Sequence, residues 1–423
     1  MTNEVVISRR GAERIRAGHV WVYRSDVAQA EGAAPGSVVT VREDRGRGRP
    51  PHALGTAFYS SASEIALRMI SRGPVSDVFQ LVRERIRAAV AYRGIFVREA
   101  NAYRVIFSEG DFLPGLIVDR YNDILSMQVL TQAMDSTEMR AAVIHELGLG
   151  TDLRAIVERV DARVRKLERL EDRDSGIVWQ TGHATGSVAT GVSPVEVVGD
   201  TAGSGRPAPQ NKLNTEFQMN GVRFLFDALS GQKTGAFLDQ RENYAAAAHY
   251  ACGEALDVFC YQGGFALHLA RTCDKVTGVD SSRPALEAAE KNAVLNGREL
   301  EWIEANAFDL LRDYSDAGKK YDCIVLDPPA FAKSKRDLAT AVRGYKELNL
   351  RALKMLRPGG ILVTCSCSYH VSPETFLETV HAAALDSHRN LRILENRGAA
   401  KDHPSVLGIP ETAYLKCLIA AVS

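Results

Sequence analysis

Near the C-terminal end, Leu362 to Ser368 place two thiols, Cys365 and Cys367, at the close of an apolar run that reads as a buried strand. Two other features precede it: a glycine-containing turn from Asp257 to Phe265, and the step Asp327-Pro328-Pro329-Ala330-Phe331. An unactivated ring carbon accepts a methyl group only after a covalent push, and a thiolate supplies one. A cofactor fold with a cysteine beside a base-gripping Asp-Pro-Pro turn therefore points to methyl transfer onto a pyrimidine carbon. Cys365 and Cys367 are two apart, so on an extended strand both project to one side and either is a candidate nucleophile. The plainer reading of any single cysteine is a small core residue.

The Asp257–Phe265 stretch reads as a strand, a tight turn at Gly263-Gly264, and a helix. Missing Cβ atoms there let a ligand approach the backbone outside the strand's carboxyl end. Asp280 ends the next strand about twenty residues on, where a carboxylate can bridge two ribose hydroxyls. The spacing lacks the G-x-G-x-x-G of dinucleotide sites, so an adenosine without pyrophosphate, as in S-adenosylmethionine, is the expected cofactor. Two consecutive prolines fix the backbone after Asp327 and remove two donors. That leaves the carboxylate and carbonyls aimed into the crevice, with Phe331 available to stack on an extruded base.

The elements around these residues follow from periodicity. Residues 1–72 show short alternating apolar runs between Gly, Pro and Asp turns, predicting a small β-rich domain with a charged hairpin tip at Arg45, Arg47 and Arg49. Helical spacing predicts a helix over 77–97, strands over 103–107 and 116–118, and a helix over 136–147, a separate α+β region. Residues 181–210 are rich in Gly, Ala, Ser, Thr and Pro and predict a mobile linker. Asn220-Gly221 between two apolar-alternating runs predicts a two-residue hairpin. From about Ala236 strands and helices alternate, which predicts a parallel sheet covered on both faces, with a helix through 343–356. The fold class expected is multidomain α/β: residues 1–73, 74–210 including the linker, and 211–423.

At 423 residues and 45% apolar content the chain is long enough for several cores. It has no run approaching a membrane span and no apolar leader at its start, so it reads as a cytoplasmic protein without a membrane partner. All seven cysteines fall in the second half with no C-x-x-C pair, and the histidines are scattered, which disfavours a disulfide framework and a metal site. Cys260, Cys273 and Cys323 read as core residues. Net charge is zero, yet up to Arg72 eleven arginines face seven acidic residues. Arginine forks phosphate and stacks on bases, so this region, Arg14 included, reads as an RNA-facing module. A merely solvated basic face is the alternative.

With these residues in place the chain resembles the class I S-adenosylmethionine-dependent 23S rRNA cytosine-C5 methyltransferases that carry an N-terminal PUA domain. The likeness covers nearly the whole chain, through GAERIRAGHVWVYRSDV at 11–27, FSEGDFLPGLIVDRYND at 107–123, GQKTGAFLDQREN at 231–243, DVFCYQGGF at 257–265, VLDPPAFAKSK at 325–335, TCSCS at 364–368, and DHP at 402–404 followed by PETAYLKCL at 410–418. The resemblance implies a PUA RNA-binding module, a central α+β domain and a Rossmann-like methyltransferase domain. It implies a cofactor site of Gln240, Arg241, Asp257, Phe259, Tyr261, Gly263, Asp280, Asn306, Ala307 and Asp327. It implies catalytic roles for Cys367, within Ser366-Cys367-Ser368, and Asp327, leaving Cys365 as a neighbour. With the residue reading above, the expected RNA contacts are Pro329, Phe331, Lys333, Lys335, Arg14, Arg45, Arg47 and Arg49; the resemblance implies 23S rRNA as partner, and a homodimer is compatible with it.

Two departures matter. Asn306 stands where such enzymes usually place an Asp that accepts from the adenine amine, and an amide oxygen can accept in its stead. The 181–210 insertion is longer and more polar than the pattern. The Asp-Pro-Pro turn carries no cysteine, so the group that removes the C5 proton is unassigned. Two other readings use the same domains: methylation of a guanine nitrogen or exocyclic amine, which needs no thiol, and a catalytically silent RNA-binding assembly factor.

Overall fold

The computed structural model describes residues 3–46, 50–150, 152–181, 213–229, 235–332 and 334–423, the Lys335 side chain excepted. Arg47, Arg49, Lys333 and the expected linker beyond Thr181 therefore lie outside the described residues.

The first sheet contains β1 (Glu4–Ile7), β2 (Trp21–Tyr23), β3 (Val27–Gln29), β4 (Val38–Glu43), β5 (His52–Tyr59) and β6 (Ile65–Ser71), ordered β2-β6-β5-β4-β1-β3. Alternation places Val5, Ile7, Val39, Val41, Ala57 and Leu67 in its core. The sequence reading has strands alone here, but α1 (Arg9–Arg16) is a helix between β1 and β2. Ser8 caps it, its side chain accepting from the Gly11 amide, and Ala12 and Ile15 bury one face. Four arginines in eight residues leave too short an apolar stripe for periodicity to register.

The second sheet is ordered β11-β10-β9-β8-β7. It is built from α2 (Val78–Phe96), β7 (Ala102–Phe107), β8 (Leu116–Tyr121), β9 (Ile124–Val129), α3 (Gln132–Asp135), α4 (Thr137–Gly148), β10 (Ala155–Glu158), α5 (Ala162–Glu168) and β11 (Gly176–Gln180). Then β12 (Asn214–Met219) and β13 (Val222–Asp227) form the hairpin, with Asn220 and Gly221 at φ 51° and 82°, the left-handed pair a two-residue turn requires.

The remaining chain gives α6 (Arg241–Tyr250), β14 (Glu254–Val258), α7 (Gly264–Leu269), β15 (Lys275–Asp280), α8 (Arg283–Leu295), β16 (Glu301–Glu304), α9 (Ala307–Asp316), β17 (Tyr321–Leu326), α10 (Leu338–Met355), β18 (Leu356–Ser366), α11 (Pro373–Asp386), β19 (Leu391–Arg397) and β20 (Lys416–Val422). They build a seven-stranded sheet, β16-β15-β14-β17-β18-β20-β19. The sheet is mixed rather than wholly parallel, since β20 inserts antiparallel between β18 and β19. The connection from β19 to β20 carries no crossover helix, and without one the returning strand runs the opposite way. The helix expected through 343–356 begins earlier, at Leu338.

Residues 402–411 and a direct contact between the first two sheets tie the six-, five- and seven-stranded sheets together. Asp402 accepts from the Arg104 amide at 2.8 Å, and its carbonyl from Arg93 at 2.7 Å. His19 reaches Glu411 at 3.1 Å, and Trp21 Nε1 donates to Glu109 at 2.9 Å. Among the described residues no helix is long and apolar enough to cross a membrane.

Candidate active site

The strand order reverses beside β14, whose neighbours β15 and β17 lead the chain in opposite directions, and the crevice at such a switch point receives ligands. The turn leaving β14 is unusually bent: Phe259, Tyr261 and Gly263 have φ of 69°, 49° and 86°. Left-handed backbone at two bulky aromatic residues is held there by its surroundings. At Gly264 a Cβ would meet the Tyr244 ring at 2.5 Å, so no other residue lets α7 pack this closely.

Asp257 is fully buried. Its Oδ2 accepts from the Ala266 amide at 2.8 Å, while Oδ1 has no partner among the described residues. Burial pushes its carboxyl up to about 8, with the charges of Asp327 and Asp280 adding and the Ala266 amide opposing. Asp280 accepts from the Tyr261 and Ser282 amides, each at 2.9 Å, and two carboxylate oxygens retain lone pairs for a further ligand. A cleft of about 770 Å³ opens beside it, lined by Phe226, Tyr261, Gln262, Pro284 and Lys291.

Asp327 follows β17. Gln240, 2% exposed, donates to its Oδ1 at 3.0 Å and accepts from Asn243 at 2.6 Å. Burial raises the Asp327 carboxyl to about 7, Asp239 adding and Gln240 opposing. Arg241, expected beside the cofactor, is engaged by Asp402 at 3.0 Å, tying α6 to the 402–416 segment. Burial would raise the Asp402 carboxyl, but His403, Arg241 and the Arg104 amide outweigh it and hold it well below the usual range.

The two cysteines left equal by spacing separate sharply here. The strand β18 ends at Ser366, so the alternation that would align Cys367 with Cys365 stops short of it. Cys365 is fully buried, paired across the sheet with Cys417, and burial raises its thiol well above the ordinary value. Cys367 is half-buried, its Sγ 3.9 Å from the Pro328 carbonyl oxygen. The serines on either side brace it. Ser366 and Ser368 hydroxyls both lie 3.0 Å from the Tyr345 hydroxyl, and Ser368 Oγ accepts from the Ala332 amide at 3.2 Å. Serine hydroxyls thus fasten the end of β18 to α10 and to the Asp-Pro-Pro loop.

Other expected residues are placed differently. The Asn306 amide oxygen caps α9, accepting from the Phe308 and Asp309 amides at 3.0 and 3.3 Å. Ala307 is buried as the first residue of α9. Pro329 is exposed. The partly buried Phe331 ring packs 4.8 Å from Tyr345 and 5.9 Å from Phe308. Arg14 bonds Asp26 at 2.9 Å and lies 4.7 Å over the Tyr23 ring, whereas Arg45 is exposed. Among the described residues no cluster of ligating side chains could hold a metal.

Sequence reasoning assigned no role to Asp402, Tyr414 or Lys416. The Tyr414 hydroxyl donates to Asp239 at 2.6 Å, and Lys416, 5% exposed, donates to the Ser368 and Tyr414 carbonyls at 2.7 and 2.8 Å. A lysine flanked by apolar residues on a strand was the available signal.

The family model for S-adenosylmethionine-dependent methyltransferases matches residues 205–418, and a PUA-like domain matches residues 5–72. The chain is 34% identical to Ribosomal RNA large subunit methyltransferase I of Photobacterium profundum, over 98% of each chain. It is 36% identical to the protein of that name from Shewanella denitrificans, over 97% of this chain and 98% of the relative. The Escherichia coli counterpart is 32% identical, over 98% of both. Among solved structures, SMU.776 complexed with SAH has a TM-score of 0.78 at 17% identity, covering 100% of both chains, a likeness of fold.

Proposed function

The chain belongs to the family of S-adenosylmethionine-dependent methyltransferases, and from that premise we propose that it methylates C5 of a cytosine in large-subunit (23S) ribosomal RNA through a covalent Cys367 adduct. The observation that carries this reading is the half-buried Cys367 sulfur beside the Pro328 carbonyl, fastened by Ser368 to the loop that bears Asp327 and by both flanking serines to Tyr345 of α10.

The residues present fit the cofactor. Asp257, whose buried Oδ1 lacks a partner among the described residues, suits an ammonium, and Asp280 suits a ribose. Phe259, Tyr261 and Gly263 shape the turn between them. When bound, S-adenosylmethionine supplies an electrophilic methyl group.

The chain's own groups prepare the acceptor. The Cys367 thiolate adds to C6 of a cytosine flipped from its stack, forming the S–C6 bond as the C5–C6 π electrons move toward N3. Asp327, with a carboxyl raised to about 7, is protonated often enough at neutral pH to give N3 its proton. C5 is thereby nucleophilic. Once C5 carries the methyl group, N3 returns its proton to Asp327 and solvent water takes the C5 proton; the C5–H electrons re-form the C5–C6 double bond as the S–C6 bond breaks and the thiolate leaves. Gln240 holds the Asp327 carboxyl in place throughout.

In this reading residues 1–73 form the RNA-binding module, 74–210 the connecting domain and 211–423 the transfer domain, acting in the cytoplasm where ribosomal RNA resides. The test is nucleoside mass spectrometry of large-subunit rRNA incubated with the enzyme and labelled S-adenosylmethionine. 5-Methylcytidine supports the proposal. A methylated guanine or exocyclic amine supports the thiol-free reading, and no transfer supports an assembly factor.

A further inference from the structure

We propose that Lys416 is a positioning residue that holds the Cys367 sulfur as a thiolate and aims it at the Asp327 turn. This rests on the reading of Cys367 as nucleophile, and the argument begins with a lysine in an unusual place.

Lysine is rarely buried without a reason. Lys416 opens β20 at 5% exposure, in register with Ser366 of β18, the residue before Cys367. Its Nζ donates to the carbonyl of Ser368, the residue after Cys367, at 2.7 Å, and to the Tyr414 carbonyl at 2.8 Å. The ammonium therefore clasps the three-residue step that carries the thiol. An ammonium has three donors, so one N–H remains beyond these two carbonyls.

The ionisable groups around Cys367 come from four directions. Tyr345 stands on α10 and Tyr414 before β20, both neutral phenols with burial pushing their hydroxyls up. Asp327 stands after β17, with Asp239 behind it, and Lys416 on β20. Of these, Lys416 alone can be cationic. Burial lowers its ammonium to about 8, and the Cys367 sulfur opposes that fall. Without a neighbouring cation, a half-buried thiol among phenols and carboxylates would stay protonated; a lysine beside it shifts the balance toward thiolate.

The test follows iodoacetamide alkylation of each cysteine by mass spectrometry, from pH 6 to pH 10, on the full-length free enzyme. In Lys416→Met and Lys416→Gln the Cys367 midpoint should rise by about one pH unit, slowing its alkylation at pH 7 about tenfold. Lys416→Arg should restore it, and exposed Cys252 should react alike in every variant. An unchanged Cys367 midpoint in the Met and Gln variants overturns the proposal. Should methionine loosen the sheet, reaction at buried Cys365 and Cys417 would show it. Lys416→Gln, which keeps a donor for the Ser368 carbonyl but no charge, then decides alone. The readout needs no RNA, so it stands apart from the nucleophile assignment, which methyl transfer by Cys367→Ala would sink.

Discussion

Gln240 donates to Asp327 Oδ1 at 3.0 Å, joining the turn before α6 to the turn after β17. One amide contact leaves the carboxyl raised to about 7, because burial outweighs it. If protonated Asp327 supplies the N3 proton, single-turnover methylation falls as pH rises above about 7. Asp327→Asn should lower the rate by roughly 10²-fold or more and abolish that alkaline limb, since an amide donates a hydrogen bond without transferring a proton. A rate independent of pH from 6 to 9 in the wild type would remove Asp327 from the proton path.

Asp257 couples function to stability. Its folded-state carboxyl, at about 8, lies above the ordinary carboxylate value of 3.8, so the folded chain binds the extra proton across that window. Stability from this group is therefore greatest below about pH 4 and is lost as pH rises toward 8. At pH 8 cofactor-free Asp257→Asn should melt at least about 2 °C higher than wild type while binding S-adenosylmethionine more weakly. Calorimetry on the free protein and titration with cofactor check both. A lower melting temperature would mean the carboxylate is stabilising as it stands.

RNA affinity should depend steeply on salt. On α1, the side chains of Arg9, Arg10 and Arg16 are 83%, 65% and 48% exposed, each paired with a carboxylate. The Arg9–Glu13 pair is exposed at both ends and contributes little, while the Arg10 and Arg16 guanidinium groups face solvent over the buried Asp26 and Glu43, so phosphates can approach all three. Replacing Arg9, Arg10 and exposed Arg45 with Gln should reduce the slope of log K against log salt by about 2, read by fluorescence anisotropy. A flat wild-type slope would deny this module an RNA role.

Strand ends and tight turns were legible because local chemistry dictates them: the Asn220-Gly221 hairpin, the Gly263-Gly264 turn and the carboxyl ends of β14 and β17 lie where the residues direct. What depends on long-range packing was not. Two cysteines two apart look alike in sequence, and only the end of β18 at Ser366 and the cross-strand Cys417 separate them. That Asn306 also caps α9 shows only once the helix start is fixed at Ala307. Lys416 has no assigned role in the sequence until β20 inserts beside β18 and buries it.

The most direct measurement uses 5-fluorocytidine RNA, whose C5 fluorine cannot leave as the proton does and so arrests the adduct. Incubated with S-adenosylmethionine, the wild-type protein should gain the mass of the RNA in a denaturing gel, with the linkage mapped to Cys367, and Cys367→Ala should gain none. An adduct that persists in Cys367→Ala would contradict the account.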